Sequence, residues 1–137
     1  MANYYSSART NRFKVKDVQA FKDDMSRFEV EVHDGSEPNQ VCVLNNDPDG
    51  SGWPNYIYNE ETQDHDEIDF FLEVAKHLQD DEVAVFQEAG AEKLRYIVGY
   101  SVAVNNAGKK VYVSIDDIYK KAAKLTKRPK DITQAQY

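Results

Sequence analysis

Hydrophobic and polar positions along this chain change period several times, and each change predicts an element. In "RFKVK", Phe13 and Val15 fall on one side of a short strand. Asp17 then stands where a helix N-cap would, ahead of Val18, Phe21, Met25 and Phe28 at helical spacing. "EVEV", Glu29 to Val32, alternates as a strand. The turn-rich "HDGSEPN" separates it from "QVCVL", so residues 29–44 read as a hairpin. "NYIYN" is a further short strand. In "DHDEIDFFLEVAKHLQ" the apolar residues Ile68, Phe71, Leu72, Ala75 and Leu78 share one face, which predicts a second helix with Asp66 as its cap and acidic residues in its first turn.

"EVAVF" has little alternation and reads as an interior strand, whereas "LRYIVGYSVAV" puts Leu94, Tyr96, Val98, Tyr100, Val102 and Val104 on one face by strict alternation. "NNAG" turns into the strand "KKVYV". Ser114, with Asp117 three residues later, then caps a third helix carrying Ile115, Ile118, Ala122 and Leu125. The order is strand, helix, three strands, helix, three strands, helix. Short turns between consecutive strands place the chain in the α+β class, with an antiparallel or mixed sheet of about six to seven strands and three short helices. Its 137 residues, 41% of them hydrophobic, suit one domain. That domain is expected over residues 1–126, followed by a flexible basic C-terminal tail over residues 127–137, where "TKRPKDITQAQY" shows no period.

Composition narrows the setting. No apolar run approaches the roughly 18 residues that cross a bilayer, and "MANYYSSARTNRF" lacks the apolar centre of a signal peptide. The single cysteine, Cys42, has no partner for an internal disulfide or a cysteine-based zinc site. A cytoplasmic protein with no membrane contact is the expectation.

Charge changes the picture more. The net charge of -7 conceals a segregation: residues 34–92 carry one basic and sixteen acidic side chains, and residues 93–137 carry ten basic and three acidic ones. Such a field says little about fold and much about partners.

Local motifs offer little catalytic chemistry. In "NNDPDGSGW" the residues Asp47, Asp49, Ser51 and Gly52 follow the D-x-D-x-S-G order that opens a calcium loop. Counting from Asp47, however, the twelfth position is Tyr58, where a bidentate carboxylate is needed. The flanks also read as strands rather than helices. A solvated turn accounts for the same residues, and no metal is expected. His33, His65 and His77 show no metal-ligand spacing, although His65 sits between Asp64 and Asp66. Cys42, between Val41 and Val43, suits a buried small side chain better than a nucleophile. The chain has no Gly-x-Ser-x-Gly, P-loop or dinucleotide fingerprint, and its carboxylates are too abundant for any two to stand out as acid and base. The expectation is a protein that is not an enzyme and takes no cofactor.

What remains is the acidic block. Double-stranded DNA presents about one negative charge per 1.7 Å of axis, and a folded surface of similar charge density can occupy a nucleic-acid-binding groove. The partner-binding face expected on that basis comprises Asp47, Asp49, Glu60, Glu61, Asp64, Asp66, Glu67, Asp69, Glu73, Asp80 and Asp81. Plain solubility is the competing explanation of the same charges.

At "YYSSARTNRFKVKD" and "EVAVFQEAGAEKLRYIVGYSVAVN" the sequence resembles small acidic proteins of bacteriophages and conjugative plasmids, a group that includes anti-restriction and anti-CRISPR inhibitors. The resemblance is one of style over most of the chain and carries no catalytic motif. It implies an interaction protein of a mobile element, a DNA mimic whose acidic face binds a basic, nucleic-acid-binding partner such as a host defence complex. The basic final third departs from a uniformly acidic mimic. Lys120, Lys121, Lys124, Lys127, Arg128 and Lys130 supply secondary contacts or, in the alternative reading, make the chain a small nucleic-acid-binding or regulatory module.

Overall fold

The computed structural model describes residues 4–45, 52–92 and 96–135. In chain order its elements are β1 (Tyr4–Thr10), β2 (Phe13–Lys14), α1 (Val18–Met25), β3 (Glu31–Asp34), β4 (Gln40–Asn45), β5 (Tyr56–Asn59), β6 (Asp64–Glu67), α2 (Phe70–Ala75), β7 (Val83–Glu92), β8 (Tyr96–Asn105), β9 (Lys110–Ser114) and α3 (Ile118–Ala122). The class is α+β: seven strands form one sheet, β5 and β6 form a second, and every pairing is antiparallel.

The large sheet is organised around β7, which pairs with β1 on one side and β8 on the other along its length. β1 and β2 lie end to end along one side of β4, matching Ala8 to Asn45 and Phe13 to Val41, while β3 takes the other side and matches Val32 to Val43. The two edges of the sheet are therefore β3 and β9. The hairpin expected over residues 29–44 is present, with its first strand two residues later than the alternation implied. Residues 26–30 are used instead to seat Phe28, which is buried and meets Phe70 edge-on at 5.1 Å.

α1 begins where the sequence places it: Asp17 is the N-cap and accepts from the Ala20 N–H at 3.0 Å. Its apolar stripe, Phe21 and Met25, packs on one sheet face with Phe13, Val15, Val41 and Val43, and α2 adds Phe70 and Val74 to the same core. Trp53, ahead of β5, stacks on Phe70 at 5.7 Å and meets Phe86 of β7 edge-on at 5.3 Å. This aromatic cluster ties the small hairpin to the sheet. Fully burying such side chains contributes roughly 1.5–3 kcal/mol each before entropy is charged against it.

Two helix expectations need correction. The second helix is capped by Asp69, which accepts from the Leu72 N–H, and not by Asp66. Asp64, Asp66 and Glu67 lie on β6, because a stretch with no apolar side chain of its own gains more by pairing its backbone with Tyr56–Asn59. The third helix opens with the foreseen capping box of Ser114 and Asp117, but as a 3₁₀ turn over Ile115–Asp117. Its apolar stripe is not buried: Ile118 is 58% and Leu125 88% exposed. Beyond it, Pro129–Asp131 forms another 3₁₀ turn, and the Ala135 N–H donates to the Tyr119 hydroxyl at 2.6 Å.

Candidate interaction surface

The β5–β6 hairpin stands apart from the large sheet, and its local bonds explain its shape. Asn59 closes the turn: its side-chain oxygen accepts from the Glu61 and Thr62 N–H groups, and its amide nitrogen donates to Asp66 at 2.8 Å. Gln63 takes a positive φ of 56° in the same turn. At the base, the Ile68 N–H donates to the Asn55 carbonyl at 2.9 Å. The register matches Tyr58 to His65, whose rings meet edge-on at 5.4 Å. Ile57 points the other way and packs against the core.

Glu60, Glu61, Asp64, Asp66 and Glu67 are all exposed on this hairpin. Among the described residues, no lysine or arginine forms an ion pair with any of the five. Tyr56 and Tyr58 beside them are 57% and 54% exposed. Tyr58 and His65 also line a groove that continues to Arg27 and Phe28 at the end of α1. One face of the hairpin therefore carries Tyr56, Tyr58, His65 and Glu67, the other carries Asp64 and Asp66 beside Ile57 and Asn59, and Glu60 and Glu61 lie in the turn between the strands. The carboxylates are legible in the sequence as charge, and the alternation of "NYIYN" puts both tyrosines on one strand face.

The other expected acidic residues divide. Asp69 and Glu73 are not on an open face: Asp69 caps α2 and pairs with Lys110 of β9 at 2.5 Å, and Glu73 pairs with Arg27 at 3.2 Å and Lys76 at 3.1 Å. They hold elements together. Asp80 and Asp81 are exposed in the turn before β7, where Asp80 accepts from Asn106 at 3.1 Å. Asp47 and Asp49 lie outside the described residues. The basic set is exposed at the opposite end of the sequence: Lys120 and Lys121 on α3, Lys124 in the 3₁₀ turn that follows it, then Lys127 and Arg128, with Arg128 reaching Asp131 at 3.6 Å.

One buried carboxylate escaped sequence reading altogether. Glu88, in the middle of β7, accepts from the Tyr100 hydroxyl at 2.8 Å and the backbone N–H of Trp53 at 3.3 Å. Gly52, at a φ of 76°, brings its backbone against that carboxylate, and any Cβ there would collide with it. Such satisfied burial points to a structural role, anchoring the base of the β5 segment to the sheet. Cys42 is buried, as its alternation with valines implied.

Among the described residues, no group of three or more His, Cys, Asp or Glu side chains gathers as a metal site would, and no helix is long and apolar enough to cross a membrane. Comparison of the chain with family models, curated proteins and solved structures found no match.

Proposed function

We propose that this protein acts in the cytoplasm by binding rather than by catalysis, presenting the carboxylates of the β5–β6 hairpin to a basic, nucleic-acid-binding partner. The observation that carries the reading is the hairpin itself: five exposed carboxylates with no lysine or arginine partner among the described residues, on two short paired strands and their turn, with two exposed tyrosines on the face that carries Glu67. Side chains two residues apart on one strand face stand about 6.6 Å from each other, a spacing of the same order as successive backbone charges of a nucleic acid. Single exposed ion pairs contribute only about 0.2–1 kcal/mol, so an array is needed, and tyrosines supply the apolar contact area that charge alone does not. A host defence complex with a positively charged nucleic-acid groove is the kind of partner this chemistry fits. The buried, lone Cys42 suits a reducing compartment.

The alternative, direct nucleic-acid binding through Lys120, Lys121, Lys124, Lys127 and Arg128, is separated by titration with labelled DNA and RNA. The proposal expects no binding at physiological salt. Saturable binding that is lost when Lys120, Lys121 and Lys124 are changed to Glu contradicts it. Salt dependence alone does not discriminate, because both modes weaken as salt rises.

A further inference from the structure

β9 closes one edge of the large sheet with the sequence Lys110-Val111-Tyr112-Val113-Ser114, and among the described residues nothing pairs with its outer side. Val111, Tyr112 and Val113 are 60%, 62% and 56% exposed. The β8–β9 register fixes which backbone groups are free. The Asn105 N–H donates to the Lys109 carbonyl at 3.1 Å, so antiparallel alternation turns the N–H and C=O groups of Val111 and Val113 towards β8. Those of Lys110 and Tyr112 point outward. So does the Ser114 carbonyl, while the Ser114 N–H is taken by Asp117 at 2.9 Å.

Proteins usually protect an open edge with a central charge, a proline, a bulge or a cover. β9 has no such residue between Lys110 and Ser114. The other edge, β3, carries Glu31, His33 and Asp34 and is protected in that way.

We propose that β9 is a homodimer interface, pairing antiparallel with the β9 of a second copy across a two-fold axis at Tyr112. In this register the two Tyr112 residues exchange N–H and C=O bonds, and the Lys110 N–H donates to the second copy's Ser114 carbonyl. Val111 falls opposite the second copy's Val113 on the outer face, beside Ile115, which is 47% exposed.

Charge complementarity selects a second copy over an arbitrary strand. Lys109, which is exposed, precedes the apolar triplet and Asp116, also exposed, follows it, while the neighbouring Lys110 and Asp117 are engaged within the chain by Asp69 and the Ser114 N–H. Reversing the strand against itself brings Lys109 of each copy beside the turn carrying Asp116 of the other. The interface is isologous, and with β3 charged the assembly closes at two copies instead of growing into a fibre. It leaves the β5–β6 hairpin of each copy outside the pairing, so a dimer carries two acidic hairpins.

The test is the mass of the full chain by light scattering after size exclusion, across about a hundredfold range of concentration. The expected species has twice the 15.7 kDa of the chain. Val113→Lys, which keeps every backbone donor but places a charge opposite Val111, should shift dissociation by about tenfold or more towards monomer. Tyr112→Pro, which removes the central donor, should yield monomer. Val83→Lys, on the same sheet face but away from the edge, should remain dimeric, and circular dichroism establishes that each variant is folded. A wild-type chain that is monomeric throughout overturns the proposal, as does a dimer indifferent to Val113→Lys.

Discussion

His77 Nε2 lies 2.7 Å from Asp24 Oδ2, joining the end of α1 to the segment after α2. Arg27 reaches the other oxygen of Asp24 at 2.5 Å and Glu73 at 3.2 Å, so one partly covered network staples the two helices that roof the core. Burial raises the carboxyl pKa of Asp24, but the hydrogen bond to His77 and the charge of Arg27 outweigh it and hold the pKa below its usual value.

A depressed carboxyl pKa stabilises the folded state above the unfolded pKa, and the gain is lost as pH falls through the folded value. Unfolding monitored in urea should therefore show a loss of stability below about pH 4, the unfolded carboxyl value. Asp24→Asn should flatten part of that acid limb and cost about 1 kcal/mol at neutral pH. An unchanged acid limb in the variant would remove Asp24 from the account.

Asp69 does two jobs that a series of substitutions separates. Asp69→Asn keeps an N-cap and loses the ion pair with Lys110, for an expected cost of about 0.2–1 kcal/mol. Asp69→Ala loses both and should cost about 1 kcal/mol more. Asp66→Ala, on the hairpin, should stay within about 0.5 kcal/mol of wild type in the same denaturant melts. If Asp66→Ala proves the costlier change, Asp66 is the helix cap after all.

Packing predicts a sharp contrast between two apolar residues. Phe86 is fully buried against Trp53, Phe70 and Phe71, so Phe86→Ala should cost about 3–5 kcal/mol. Leu125, 88% exposed, should tolerate Ser within about 0.5 kcal/mol in the isolated chain. Thermal melts of both variants read this directly, and a large loss from Leu125→Ser would place the 3₁₀ turn after α3 in the core.

The sequence disclosed most where a single period ran uninterrupted. The α1 cap at Asp17, the β3–β4 and β8–β9 hairpins and the Ser114 capping box were legible because local chemistry and tertiary packing agree there. β1 was missed because "YYSSART" buries only Ala8 and Thr10 among the residues whose burial is described, and gains its place from backbone pairing on both sides. The acidic helix failed for a related reason: helical spacing of Ile68, Phe71 and Leu72 extended the expected helix back over residues that pair as β6. The eleven expected acidic positions consequently fall into a hairpin group, a structural pair at Asp69 and Glu73, a turn at Asp80 and Asp81, and two outside the described residues. Sequence distance could not show that Lys110 returns to Asp69.

The most direct measurement of the proposed role is capture from an extract of the cell in which the protein acts, with retained proteins identified by mass and challenged with duplex DNA. Three immobilised chains are compared: wild type, a hairpin reversal (Glu60, Glu61, Asp64, Asp66 and Glu67 to Lys) and an α3 reversal (Lys120, Lys121 and Lys124 to Glu), each verified as folded. Asp69 and Glu73 are left intact because they stabilise the fold. The account predicts that wild type and the α3 reversal retain a nucleic-acid-binding protein that DNA displaces, and that the hairpin reversal does not. Retention lost in the α3 reversal but kept in the hairpin reversal would contradict it.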